Sequence, residues 1–493
     1  MIYNFNLGIG WASSGVEYAQ IYRARMFRNI GVDAKFVFTD MFPSENMEHM
    51  TKNIGFLDSE VIWLYTFFTD FKTAPVTYTL SDLEKTFTDL NYTTTREGKI
   101  CRYVFGGSNN FYTAYMVNDH DDFVHRVELV SNGFLIRKDY FTYGRVYSEY
   151  YAPLDNKAHL YHRRFFNENG SVAYEEIIDD DRVMYKFKDK ILCSKEEFVG
   201  YMVSQLHLTK DDVVLIDRST DIGQSILMNC KPARVGTVVH ADHFSEKDTN
   251  DDYILWNNFY EYEFNMHKHI DFYICSTQAQ SDLMVQQFEK YYGVTPCVYT
   301  IPVGSLPELK YPKENRKPFS LITASRLASE KHVDWICKAV IQARREVPEL
   351  SLDIYGEGGE KSKLETIIRD NHAQDYIHLM GQHDLSEVYQ NYEAYIAGST
   401  SEGFGLTLME AVGGGLPIIG FDVRYGNPTF IRNGENGYLI SLPEEDKDKI
   451  EALRKGIVDL FKQDLEKCHS VSYEVAKDFL TCNVQEKWRE AVC

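Results

Sequence analysis

Glu402 and Glu410 bracket the start of a predicted helix in the stretch Ser-Thr-Ser-Glu-Gly-Phe-Gly-Leu-Thr-Leu-Met-Glu-Ala-Val-Gly-Gly-Gly, residues 399–415. Glu402 lies in a Gly-rich turn after a short strand over 394–397. Gly403, Phe404, Gly405 and Leu406 then present the unpaired N–H groups of a first helical turn, a seat for phosphate. Glu410 follows among Leu406, Leu408, Met409, Ala411 and Val412, apolar on nearly every side, so it needs a polar partner. A ribose diol would supply one. Taken singly, Glu402 reads as a capping carboxylate and Glu410 as a solvated helix residue, and the surroundings decide against both. A strand over 319–324 runs into Ser325-Arg326-Leu327, with Glu330-Lys331 beyond, which sets two cations past a strand's C-terminal end. Ligands of doubly wound sheets bind there. Arg326, Lys331, a glycine-flanked helix start and two placed carboxylates together describe a nucleotide-sugar site.

Weaker signals flank this one. Gly8, Gly10, Ser14 and Gly15 follow the first strand, where small residues allow close backbone approach to a diphosphate, although Gly-x-Gly spacing recurs in ordinary turns. His240 ends a strand over 234–239, with His243 three residues on; the spacing could suggest metal, yet no Cys or carboxylate completes a zinc set. Tyr355-Gly356-Glu357-Gly358 and Gly381-Gln382-His383 sit at strand-to-helix turns that could line a base and ribose pocket. Asp179-Asp180-Asp181 could serve as a metal-binding Asp-x-Asp, and an exposed acidic turn is the better account. The basic cluster Lys157, His159, His162, Arg163 and Arg164 reads as a solvated strand face.

Arg326, Lys331, Glu402 and Glu410 match the pattern of family-four retaining GT-B glycosyltransferases. With Asn6-Leu7-Gly8-Ile9-Gly10-Trp11-Ala12-Ser13-Ser14-Gly15-Val16-Glu17-Tyr18 and Val239-His240-Ala241-Asp242-His243-Phe244-Ser245-Glu246, the whole chain resembles the catalytic A subunits of the serine-rich-adhesin O-GlcNAc transferases of Gram-positive accessory secretion systems. The resemblance implies a UDP-GlcNAc donor, a Ser/Thr acceptor on a serine-rich repeat adhesin and a non-catalytic B subunit as partner. It implies that His240 contacts the donor sugar and that Glu402 holds its hydroxyls rather than attacking. It further implies front-face substitution, with the leaving diphosphate clamped by Arg326 and Lys331. No divalent metal and no cofactor are then needed. A UDP-glucose version of the reaction, a glycan or lipid transferase of the same fold, and a partner subunit that lost its site remain the alternatives.

The elements that must position these residues follow from length and periodicity. At 493 residues the chain exceeds one core. Nine scattered cysteines argue against a disulfide framework and for a reducing compartment. The longest apolar run, 61–68, is too short to span a membrane, so a cytoplasmic location is expected, either free or peripheral on the inner face of the cell membrane through the complex. A net charge of −21 disfavours nucleic acid as a partner. The expected fold is α/β, GT-B: two Rossmann-like doubly wound domains facing across a cleft, with an antiparallel all-β insertion in the first. The N-terminal domain takes 1–44 and 202–308, the insertion 45–201, and the nucleotide-sugar domain 309–470. A helix over 471–493 returns to the first domain. The aromatic-rich insertion is expected to bind the partner or the acceptor.

Overall fold

The computed structural model describes residues 1–9, 15–43, 45–88, 90–106 and 109–493. The chain divides into two compact bodies. One comprises Met1–Ala24, Val32–Thr237 and Asn258–Asp271, the other Arg25–Gly31, Val238–Asn257 and Phe272–Cys493.

The first body is built on parallel strands in the order Arg234–Val239, Val213–Ile216, Ile2–Asn6, Ala34–Phe38, Val61–Trp63. Val213–Ile216 is buried at every position, as a parallel strand covered on both faces must be. The insertion forms an antiparallel sheet of ten strands among the described residues, from Tyr92–Glu97 at one edge to Ile191–Leu192 at the other. Seven of these strands are expected from alternating aromatic and β-branched runs. Tyr92–Glu97, Val172–Asp179 and Ile191–Leu192 are additional, because threonine- and glutamate-rich stretches and a two-residue strand carry little apolar periodicity.

The sheet is not a separate module. Tyr140, Tyr147, Phe165, Tyr174 and Tyr185 join the same core as Phe36, Phe38, Trp63 and Phe198. Its rings stack in series, Phe165 on Tyr174 at 4.5 Å and Tyr185 on Phe198 at 4.0 Å. A second core, around Leu83, Phe87, Cys101, Tyr103 and Val127, holds the far part of the sheet. The basic cluster is not uniformly a solvated face. Arg163 is largely buried between Glu149 and Glu176, at 2.9 and 2.7 Å, because two cross-strand carboxylates supply the partners a buried cation requires. Asp180 does lie in a hairpin turn, with φ +50°, between Val172–Asp179 and Arg182–Lys186.

The second body carries a parallel sheet in the order Ile377–Gly381, Ser351–Tyr355, Ser320–Ala324, Ala394–Ile396, Ile418–Phe421, Gly437–Ile440. Chain order reverses between Ser320–Ala324 and Ala394–Ile396, the switch point at which doubly wound sheets bind ligands. Three differences from the sequence reading stand out. The apolar spacing over 253–267 predicts a helix, and the stretch instead forms a short strand, Leu255–Trp256, and a helix confined to Glu261–Asn265. The C-terminal helix is two, Leu465–Lys477 and Thr481–Val492. Gly437–Ile440 is a further strand. Among the described residues no helix is long and apolar enough to cross a membrane.

Candidate functional site

The strand Ser320–Ala324 is wholly buried, and the chain leaves it at Ser325 beneath the neighbouring turn. Gly356 explains how the two loops lie so close. A Cβ there would sit 1.9 Å from the Ser325 carbonyl oxygen, and its φ of +130° suits glycine alone. Backbone bonds knit the loops together, Ser325 N–H to Tyr355 and Leu327 N–H to Glu357. Arg326 emerges from this platform with its side chain 80% exposed, paired loosely with Glu330 at 3.3 Å. His383 is exposed on the adjoining turn, its ring edge-on to Tyr355 at 5.9 Å.

Lys331 comes next, in the short 3₁₀ turn Ser329–Lys331, and reaches across the switch point. Its Nζ lies 2.6 Å from Glu402 Oε2, and both side chains are only 20% exposed. The Glu402 carboxylate is thus engaged with a cation rather than capping the helix Leu406–Gly413, whose N-cap is Gly405 at φ +88° without a side-chain cap. Phe404 is expected to offer its backbone N–H, and its side chain has a separate role. Its ring is buried against Phe430 at 5.3 Å and Phe479 at 6.0 Å, so the side chain anchors the turn and leaves any ligand contact to its backbone. Leu406 opens the helix and is partly exposed, and Gly403 beside Glu402 would bring a Cβ within 3.8 Å of the His240 carbonyl.

Glu410 lies one turn into the helix and accepts from the Tyr389 hydroxyl at 3.0 Å. Burial pushes its carboxyl above the ordinary carboxylate range, against the lowering effect of that hydrogen bond. The polar partner its position calls for is therefore already present in part as Tyr389, a residue the local pattern did not reveal.

His240 leaves the strand Arg234–Val239 and, through its backbone, lies beside Gly403. His243 does not share its role. It is fully buried and bonded through Nε2 to Gln287 Oε1 at 2.7 Å, and burial holds its pKa down at about 4. Among the described residues no three His, Cys, Asp or Glu side chains converge to hold an ion. In the first body, Gly15 begins the helix Gly15–Ile30 and a Cβ there would meet no described residue within 4 Å. Ser14 and Gly10 lie outside the described residues. Gly8 has a packing reason instead, since a Cβ would press on the Phe42 ring at 2.8 Å.

Lys331, Glu402 and the His240 backbone are therefore gathered around one turn, with Arg326 and His383 on the loops beside the preceding strands. Such a set can hold a pyrophosphate with cations and helix N–H groups, and sugar hydroxyls with a carboxylate.

Two family models match the chain, the GtfA extended beta-sheet domain over residues 93–189 and the glycosyl transferases group 1 over 308–478. The GtfA subunit of the UDP-N-acetylglucosamine–peptide N-acetylglucosaminyltransferase of Streptococcus agalactiae is 52% identical, over 99% of this chain and 97% of its own length. The crystal structure of a GtfA/B complex matches at 52% identity with a TM-score of 0.96, over 100% of this chain and 99% of that one. The pneumococcal O-GlcNAc transferase GtfA in complex with UDP and GlcNAc matches at 50% identity and a TM-score of 0.87, over 100% and 98% of the two chains.

Proposed function

Because the chain belongs to the family of GtfA subunits of UDP-N-acetylglucosamine–peptide N-acetylglucosaminyltransferases, we propose that it transfers GlcNAc from UDP-GlcNAc, with retention, to Ser or Thr of a serine-rich repeat adhesin. It acts as the catalytic subunit of a complex with a non-catalytic B subunit, in the cytoplasm or at the inner face of the cell membrane.

The observation that carries the reading is the Lys331–Glu402 pair at the sheet's switch point, 2.6 Å apart and beside the start of the helix Leu406–Gly413. Lys331 has three donors, so it can keep Glu402 while bonding a phosphate oxygen. Arg326, exposed and only loosely paired, is free to swing onto the same diphosphate. As the glycosidic bond breaks, negative charge grows on the leaving phosphate, and these cations with the helix N–H groups stabilise it. The acceptor hydroxyl attacks from the same face, and its proton passes to a leaving-phosphate oxygen. Glu402 holds sugar hydroxyls and His240 lies beside them. Glu410 receives the ribose diol next to Tyr389. Two protein cations do the work a divalent ion does elsewhere, which supports a metal-independent reaction. All nine cysteines are unbridged, which supports a reducing compartment.

The test is incubation of the purified complex with UDP-GlcNAc and a serine-rich peptide, read by intact mass. The expected product carries added N-acetylhexosamine on Ser or Thr. Addition of hexose from UDP-glucose at a higher rate, or transfer to a glycan or lipid but not to peptide, would overturn it.

A further inference from the structure

Glu402 and His240 lie far apart in sequence, and one residue grips the structure around both. The Glu402 carbonyl accepts from the N–H groups of Tyr425 and Gly426 at 2.6 and 2.7 Å, and the Glu402 N–H donates to the Arg424 carbonyl at 3.2 Å. A Cβ on Gly426 would lie 2.2 Å from the Phe404 carbonyl oxygen and 3.0 Å from Glu402 Cγ, so the two backbones are packed without slack. The Tyr425 side chain turns the other way. Its hydroxyl donates to Asp242 Oδ1 at 2.6 Å and lies 3.2 Å from His243 Nδ1. His243 is held in turn by Gln287, and Arg424 braces the same segment through Asp242 at 3.4 Å and Glu246 at 3.3 Å. Tyr425 is 2% exposed and His243 0%, so the Tyr425–His243–Gln287 contacts are desolvated, whereas Asp242 takes the hydroxyl at the edge of solvent with its side chain 42% exposed.

We propose that Tyr425 is a positioning residue for the sugar half of the donor site. Its backbone fixes the loop of Glu402, and its hydroxyl fixes Asp242 and His243, and through them the placement of His240 against Gly403 and Glu402. The inference rests on the donor-site reading above. It assigns Tyr425 no contact with substrate. Its effect falls on the geometry in which two sugar-binding groups meet the reacting carbon, where errors of about 1 Å cost about a hundredfold in rate. Tyr425→Phe leaves the diphosphate clamp in place, because Arg326 stands on the loops of Tyr355 and Glu357 and the Glu402 loop that pairs with Lys331 is held by the Tyr425 backbone, which this substitution keeps.

The test uses the full chain in complex with its partner. Tyr425→Phe keeps the ring and removes the hydroxyl; kcat with UDP-GlcNAc and peptide is expected to fall about ten- to a hundredfold, with the dissociation constant for UDP within about twofold of wild type. Asp242→Asn retains an acceptor for the hydroxyl and should keep kcat within about threefold, whereas Asp242→Ala should reproduce the Tyr425→Phe loss, and the double variant should be no worse than either single. Wild-type kcat in Tyr425→Phe, a parallel loss of UDP affinity, or additive losses in the double variant would overturn the positioning role. A wild-type protein that neither binds UDP nor turns over a UDP-sugar would instead bring down the functional reading, and this inference with it.

Discussion

At the scale of single residues, the two cations that face the donor phosphate differ in what else they do. Arg326 is 80% exposed, so Arg326→Ala should leave the thermal midpoint unchanged while removing about 3 kcal/mol or more of transition-state stabilisation. Lys331→Ala should lose turnover to a similar degree and also lower the midpoint by a few degrees, since it strips Glu402 of its partner at 2.6 Å. Parallel melts and single-turnover rates would separate them; normal turnover in both would refute the assignment. His243 makes a pH prediction. Its native pKa of about 4 lies below the ordinary 6.5, so between those values the unfolded chain binds a proton that the native chain does not. Stability is therefore complete above about pH 6.5 and is lost as pH falls toward 4, by about 2 kcal/mol at pH 5 from this residue. Urea unfolding at pH 7.5 and 5 should show a smaller acid loss in His243→Gln than in wild type, and equal losses would contradict the burial account.

At the scale of elements, the site depends on how closely two loops approach. Gly356→Ala forces a Cβ toward the Ser325 carbonyl, 1.9 Å away in the native backbone, and should cost both stability and UDP affinity because the Arg326 loop must retreat. Calorimetric UDP binding that stays at the wild-type level would show that the platform is more compliant than its packing indicates. Gly15 is the opposite case. Among the described residues a Cβ there meets nothing within 4 Å, so Gly15→Ala should leave folding intact; if the donor approaches this helix start, activity should fall regardless. An active, stable Gly15→Ala protein would remove Gly15 from the donor site.

At the scale of the whole molecule, the extended sheet and the first Rossmann-like body share one core through Tyr140, Tyr147, Phe165, Tyr174 and Tyr185. Cutting out residues 45–201 would therefore unfold what remains, and the partner-binding role must be tested on the surface instead. Phe134 and Leu154 are 49% and 56% exposed on the sheet, an arrangement suited to being covered by a partner. Phe134→Glu with Leu154→Glu is expected to weaken co-purification with the B subunit and peptide transfer while UDP binding persists. Unchanged complex formation would move the interface elsewhere. Activity should also survive EDTA, and a manganese requirement would displace the cation clamp from its role.

What the sequence determined by itself is the βα alternation and the strand ends on which Arg326, Lys331 and Glu402 stand. Strands buried on both faces read as apolar runs, unbroken in Val213–Ile216 and interrupted only by the small Ser320 and Thr323 in Ser320–Ala324, and the glycine-rich turns near the site are equally local. Tertiary structure alone decided that Phe404 turns inward to Phe430 and Phe479, that Arg163 is buried between two carboxylates, and that Tyr425 bonds Asp242 across 183 residues. Those outcomes depend on which surfaces meet after folding. A hydrogen bond between residues so far apart leaves no periodicity, cap or turn in either local stretch by which to foresee it.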